Sequence, residues 1–331
     1  MNQTEAEQTI NQILEEYGGK IASRARVILL EDPTLKDLRE PLEFLRKRWY
    51  DRTPAFVRLS CEAVRGNAED SETAALALTL MNLCFTIWDD VIDNTRYKRF
   101  MSTLFGKFGQ ETAIITGGIA SAKAFSILNK TMPEEKRKRI TDSIWKMWSQ
   151  MASIESITVE LRKNGVFQSK NKLRKMRSEA INLGTFLKIG AIIGDGSNQE
   201  INHLTMYGRY LALILGLEED FKISINLSVE LAERIRSRRP PYTTLWALEH
   251  STPLKKLFEK FEGNKEDSLI KEFVEMFLST NVSSFVSKEI EKNRKLAQLQ
   301  LRTLPDTSAK DMLNLLVNSA AKILDDIVPD N

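Results

Sequence analysis

Residues 73–88, TAALALTLMNLCFTIW, carry no charge and are apolar on nearly every face at helical periodicity. A helix of that kind has no face to turn to water, so the rest of the chain has to enclose it. The run falls short of the ~18 residues usually needed to cross a bilayer, and it ends in Asp89 and Asp90. It predicts the central helix of a soluble, densely packed core.

Composition agrees with a helical enclosure. The 331 residues include only 15 Gly and 9 Pro, and Leu, Ile, Lys, Glu, Ala and Arg dominate most windows, so helix formers outnumber strand formers. Breakers punctuate the chain at Gly18-Gly19, Asp32-Pro33, Thr53-Pro54, Gly66-Asn67, Gly117-Gly118, Met132-Pro133, Asn164-Gly165, Gly194 to Ser197, Pro240-Pro241 and Pro305. The windows between them predict roughly a dozen helices, and none shows sustained period-two alternation. Length alone allows two domains or one large α domain. With no linker, repeat or composition shift, residues 1–331 are expected to form one helical domain, closed by an amphipathic helix over Ser308 to Val328.

The amino-terminal stretch MNQTEAEQTINQILEEYGG lacks the basic and apolar regions of a signal peptide. Cys61 and Cys84 have neither metal spacing nor disulfide density. Both features point to a reducing, cytoplasmic setting. A net charge of +3 is too close to balance to argue for nucleic-acid binding by bulk charge, so local patches would have to carry it. The patches EEKRKRI and RIRSRRPP are short, scattered and without interleaved aromatics; they equally suit peripheral contact with an anionic membrane.

The uncharged helix runs into three aspartates. Asp89 and Asp93 are four residues apart on one face, and Asp90 borders them. The helix is expected to end near Asn94, which puts the carboxylates where the macrodipole disfavours negative charge, so a cation must compensate. Two compensators stay open on the residues alone. Arg96, Lys98 and Arg99 can close back as a surface salt-bridge network. Alternatively, Mg²⁺ can bind a few of the carboxylate oxygens and keep its other positions for water and a substrate diphosphate, with the adjacent bases receiving that diphosphate.

The stretch DDVIDNTRYKRFMSTLFGKFG, residues 89–109, resembles the first aspartate-rich motif of the trans-isoprenyl diphosphate synthases, the polyprenyl synthetase family. The resemblance implies an all-α fold, a single large helical bundle of the isoprenoid synthase type. It implies a Mg²⁺-dependent prenyltransferase acting on an allylic prenyl diphosphate and isopentenyl diphosphate, with a homodimer as the expected assembly. By position, Asp89, Asp90 and Asp93 would hold the metal on the allylic diphosphate, and Lys98 and Arg99 would contact the diphosphate.

Partial matches extend the likeness over roughly residues 40–250. LRKRWYDRTPAF (45–56) is similar to the basic segment that binds the second diphosphate, implicating Lys47, Arg48 and Arg52, although the Gly-Gly-Lys-Arg lead is absent. MRSEAINLGTFLKIGAIIG (176–194) looks like the helix carrying Lys-Thr in the family, with Arg177 in that place. Glu160 falls where an acid follows a Gly-Gln pair that is missing here. At the second aspartate-rich motif Glu219 and Asp220 match the first two acids, while Ile223 replaces the third and Gly216 takes the place of Gln. Arg238 and Arg239 match a basic residue in the following loop. Cys84 and Phe85, one turn above the acids, occupy places that limit product length in the family; Phe85 is expected in the cavity floor, or else as an ordinary core residue.

Three alternatives remain. A terpene synthase of the same fold would need a metal triad running from Asp220, and only Ser224 and Ser228 stand at its four- and eight-residue steps. A non-catalytic partner subunit of a prenyl diphosphate synthase would explain the altered second motif. A four-helix di-iron protein would need two Glu-x-x-His pairs, of which Glu200 to His203 is one; the place before His250 holds Ala247.

Overall fold

The computed structural model describes residues 5–49, 51–98, 101–164, 168–225, 231, 234–235, 239–263 and 268–323. They are almost wholly α-helical: α1 (Glu5–Ala25), a 3₁₀ turn (Pro33–Leu38), α2 (Arg39–Arg48), α3 (Thr53–Ala63), α4 (Ala68–Ile92), α5 (Leu104–Thr131), α6 (Glu134–Lys163), α7 (Ser169–Ile193) and α8 (Asn198–Ile225). The carboxy-terminal third adds α9 (Tyr242–His250), α10 (Thr252–Gly263), α11 (Ser268–Leu278), α12 (Val282–Leu301) and α13 (Ser308–Lys322). Between α4 and α5 stands a hairpin of two two-residue strands, β1 (Tyr97–Lys98) and β2 (Met101–Ser102), paired Tyr97 to Ser102. It is too short to leave a period-two signature, which is why the sequence showed no strand.

The uncharged run forms the middle of α4. Ala74, Ala75, Ala77, Leu78, Leu80 and Met81 are fully buried, enclosed by α3, α5, α1 and α7. Asn67 caps its start by accepting from the Glu69 N–H, and Glu69 and Asp70 in the first turn suit the macrodipole. Its end is a Schellman motif: Asn94 turns left-handed (φ 51°), Thr95 N–H donates to Asp90 O at 2.7 Å and Asn94 N–H to Val91 O at 3.1 Å. Asparagine is the non-glycine residue that enters this conformation most cheaply. The aspartates are therefore held in the last turn at the end of the core helix. Thr103, which caps α5, also donates to Thr95 O at 2.8 Å, so the hairpin folds back over that end.

Two predicted breakers are not breaks. Gly18-Gly19 and Gly117-Gly118 lie inside α1 and α5, which run through them. Their role is close approach: a Cβ on Gly18 would come within 2.7 Å of Ala55 N on α3, and one on Gly117 within 2.6 Å of the Trp88 indole. The α7–α8 pair is the most extensive in the bundle; there a Cβ on Gly208 would meet Gly184 Cα at 2.9 Å. The closing helix is described over Ser308–Lys322; the end expected near Val328 lies outside the described residues. α13 packs on α1, α3 and α12, and the buried apolar residues form one contiguous cluster from Ala6 to Ile323.

Candidate active site

A cavity of about 510 Å³ opens at the carboxy-terminal end of α4, walled by α4, α6, α7 and α8. Its inner wall is apolar: Phe85, Trp88, Trp148, Met151, Ile154 and Met176. Phe85 packs on Trp148 at 4.8 Å between ring centroids, and Trp88 meets Trp148 edge-on at 5.9 Å. Among the described residues Trp148 Nε1, Ser178 Oγ and Asn182 Oδ1 have no hydrogen-bond partner, leaving a few polar atoms in an otherwise greasy lining. The mouth is densely charged.

At the mouth Asp90 is buried and Lys98 Nζ reaches its Oδ1 at 2.6 Å and Asp89 Oδ2 at 3.7 Å. Burial raises the Asp90 carboxyl and Lys98 opposes that; burial would lower Lys98, but Asp89 and Asp90 outweigh it and raise the ammonium. Asp93 is gripped harder. Arg162 donates to its Oδ1 at 2.8 Å and to Ile92 O at 2.9 Å, while Arg239 and Lys175 stand 3.4 and 3.5 Å from Oδ2. Burial alone would raise Asp93, yet these cations hold its carboxyl well below the ordinary range. Arg239 also donates to Thr95 Oγ1 at 2.8 Å.

Lys175 is the hub. Only 5% exposed, it lies 3.0 Å from Glu155, 3.5 Å from Asp93, 3.8 Å from Glu179 and 4.0 Å from Asp89. Burial would lower its ammonium, and the ring of carboxylates raises it well above the ordinary lysine value instead. Glu179 is open to the cavity space though ringed by protein, and that enclosure raises its carboxyl. Glu219 and Asp220 line the facing wall. Asp220 Oδ2 accepts the Tyr242 N–H at 2.7 Å, capping α9, and Arg234 stands 3.8 Å from its Oδ1.

The fold therefore brings together Asp89, Asp90, Asp93, Lys98, Arg239, Glu219, Asp220 and Phe85. Arg99, Arg238 and Ser228 lie outside the described residues. Arg177 is elsewhere: it stands two residues, about 200° of helical rotation, from Lys175, and it faces a different cavity behind α7. Lys175, with Lys172 beside it, is the α7 cation at the site. Glu160 is likewise off the cavity wall, and Glu155, more than a turn earlier on α6, faces in. Lys47, Arg48 and Arg52 are absent from the described cavity wall; Arg48 lies over the Phe44 ring at 4.7 Å and Arg52 donates to Asn11 at 3.2 Å. Their segment reaches the cavity through buried Asp51, which accepts from Asn82 at 2.7 Å, and Asn82 in turn accepts from Asn182 at 2.9 Å.

Other sequence candidates are consumed structurally. Ser224 is fully buried, donating to Asp220 O and bonded to the Thr243 and Thr244 hydroxyls at 2.8 Å each, so it faces no metal. Glu200 and Ser197 form a reciprocal capping box at the start of α8, while His203 contacts Gln300. Lys136 of the EEKRKRI patch donates to Ile193 O at 2.7 Å, closing the carboxy-terminal end of α7. Both cysteines are buried and reduced, and burial pushes their thiols up to about 12.

Among the described residues no three acidic, His or Cys side chains converge tightly enough to grip an ion unaided, because lysine and arginine hold them apart. The donor set nonetheless suits a hard divalent cation. The candidate donors are carboxylate oxygens, and the Lys175 ammonium stands within 4.0 Å of four of those side chains; Mg²⁺ needs only one or two such carboxylates if water and a phosphate complete its shell.

The helical bundle thus carries one cavity that is apolar within and lined by carboxylates and cations at its mouth. The chain belongs to the polyprenyl synthetase family, whose sequence profile matches residues 51–276. It is 23% identical over 274 residues to a short chain isoprenyl diphosphate synthase of Methanothermobacter thermautotrophicus, covering 80% of this chain and 83% of that one. It is 27% identical over 169 residues to a geranylgeranyl diphosphate synthase of Methanosarcina mazei, about half of each chain. The fold matches a geranylgeranyl pyrophosphate synthetase of Pyrococcus horikoshii with a TM-score of 0.81 at 22% identity, over 96% of this chain and 99% of that one. It also matches a polyprenyl synthase of Caulobacter crescentus, solved with calcium and isoprenyl diphosphate, with a TM-score of 0.81 at 14% identity, over 95% and 97% of the chains.

Proposed function

We propose that this prenyltransferase is Mg²⁺-dependent, ionises an allylic prenyl diphosphate and joins the prenyl group to isopentenyl diphosphate. The observation that carries the reading is the division of one 510 Å³ cavity into an aromatic interior and a mouth crowded with opposite charges, a volume within the ~300–1,000 Å³ usual for small-molecule sites. Asp89 and Asp93, with Glu155 and Glu179 near them and Glu219 on the facing wall, would hold the metal, which when bound supplies positive charge to the departing diphosphate. Lys98, Lys172, Lys175, Arg234 and Arg239 are fixed donors for the phosphate oxygens, oriented before substrate arrives. The C–O bond breaks with its electron pair on the diphosphate. Phe85, Trp88 and Trp148 exclude water from the cation that remains until the second substrate's double bond attacks and a proton leaves.

Further features support the wider reading of residues 1–331 as one cytoplasmic unit working as a homodimer. The apolar core is continuous, the cysteines are free and buried, and α5 and α6 leave Ile115 and Trp145 52% and 71% exposed.

The test incubates the protein and Mg²⁺ with geranyl, farnesyl or geranylgeranyl diphosphate, with and without isopentenyl diphosphate, and identifies products by mass spectrometry. Elongated diphosphates are expected. Hydrocarbons or alcohols formed without the second substrate would make it a cyclase, and no turnover in any combination would make it a partner subunit. Asp89→Ala should abolish turnover with helix content unchanged by circular dichroism.

A further inference from the structure

Behind the active site, on the other side of α7 and α8, lies a second cavity of about 310 Å³, closed by α9 and α12. Leu173, Leu213, Leu217 and Leu296 make one side of it apolar. Arg177, Arg209 and Lys292 face the same space against one carboxylate, Glu289, which Lys292 already pairs at 3.3 Å. Arg177 and Arg209 have no ion-pair partner among the described residues, and Arg209 Nε is buried with no hydrogen-bond acceptor. A buried donor left unpaired is costly, and no described residue supplies its acceptor.

We propose that this cavity binds a phosphate-headed amphiphile: an organic phosphate or diphosphate with a short hydrocarbon tail. The head meets Arg177 and Arg209, whose guanidinium forks match phosphate oxygens, and the tail lies on the leucines. The volume equals about ten water molecules at ~30 Å³ each, which fits a tail of a few carbons and no long chain. Its walls connect it to the catalytic cavity, since Tyr242 lines it while the Tyr242 N–H donates to Asp220 at 2.7 Å. The site does not depend on the catalytic reading, because none of its cations faces the aspartates.

The test is calorimetric titration of the full chain with hexyl phosphate, which has no allylic bond to ionise; Arg209 and Lys292 line the rear cavity and not the front one, so their variants tell the two apart. Wild type should bind it, and Arg209→Gln should weaken binding about tenfold or more, the loss expected of a charge-assisted hydrogen bond. Lys292→Glu, a change at an exposed position that leaves folding intact, should weaken it in the same direction. Inorganic phosphate alone and hexanol alone should each bind more weakly than the joined probe. Equal affinity in wild type and both variants would overturn the site. Flotation with vesicles of anionic phospholipid separates the sources of the phosphate: vesicle binding that needs Arg209, without hexyl phosphate binding, would replace the soluble ligand by a membrane contact. Loss of turnover in Asp89→Ala is read separately, so failure here and failure of the catalytic assignment stay distinct.

Discussion

Replacing Lys175 by methionine removes the ammonium from the centre of four carboxylates while roughly keeping its volume. The lysine is 5% exposed and reaches Glu155 at 3.0 Å, Asp93 at 3.5 Å, Glu179 at 3.8 Å and Asp89 at 4.0 Å. Removing one partner of a buried ion cluster typically costs about 3–5 kcal/mol, because the charges left behind are desolvated and unpaired. At about 2.1 cal/mol/K of unfolding entropy per residue, 331 residues give about 0.7 kcal/mol/K, so Tm should fall by about 4–7 °C at neutral pH. The sign of the pH dependence follows from the two shifts. Asp93 is depressed, so its stabilisation is present above its unfolded pKa near 3.9 and is lost as pH falls through the lower folded value. Lys175 is raised, so its stabilisation is complete below about 10.4 and is lost only as pH rises through the higher folded value. The gap between wild type and Lys175→Met should be widest between about pH 5 and 9 and narrow on acidification below about 4. Millimolar Mg²⁺ should raise the variant's Tm more than the wild type's, since the vacated carboxylates gain a new counter-ion. Scanning calorimetry across pH, with and without Mg²⁺, measures all of this. An unchanged Tm at pH 7, or a gap that widens in acid, would refute the cluster as the source of that stability.

Other outcomes follow from single contacts. Phe85→Ala removes a ring packed 4.8 Å from Trp148 and should lengthen the prenyl products seen by mass spectrometry; an unchanged product distribution would return Phe85 to the role of ordinary core residue. Gly190→Ala places a Cβ 2.0 Å from Ser60 Oγ and 2.2 Å from Val57 O, forcing α3 and α7 apart; overpacking of that kind costs about 1–3 kcal/mol, readable as a lower midpoint in urea. Glu218 is buried beside Lys222, and burial raises its carboxyl to about 6. Because the folded value lies above the unfolded one, its contribution to stability should grow as pH falls through about 6, and a carboxyl NMR titration with a midpoint at or below the ordinary glutamate value would contradict it.

Much of the arrangement was legible because it is local. The apolar run gave a helix that needed a shell, and α4 is enclosed by four others. The i, i+3 and i+4 spacing of Asp89, Asp90 and Asp93 put them on one end, and Asn94 ended the helix just after them through a left-handed residue. Lys98 came back to Asp90 because it follows within one short hairpin. Helical register and distance through space are less legible. Motif likeness points to Arg177, but two positions along α7 reverse the face and Lys175 is the cation at the cavity; Glu160 likewise stands off the wall that Glu155 lines. The spacing of Lys172, Lys175 and Glu179 on one helical stripe carried the needed signal.

What no stretch of sequence contains is the meeting of distant residues. Arg162 and Arg239 close on Asp93 across 69 and 146 positions, and Asp51, Asn82 and Asn182 join the α2–α3 connection, α4 and α7 in one thread of hydrogen bonds. The sequence by itself determined the helices, the central place of α4 and the carboxylates at its end, since periodicity and caps act within a few turns. The tertiary structure alone decided which cations neutralise those carboxylates, which side of α7 faces the reaction, and that a second cationic cavity lies behind it. The physical reason is that ion pairing and burial depend on distances through space, and those exist only once the helices have packed.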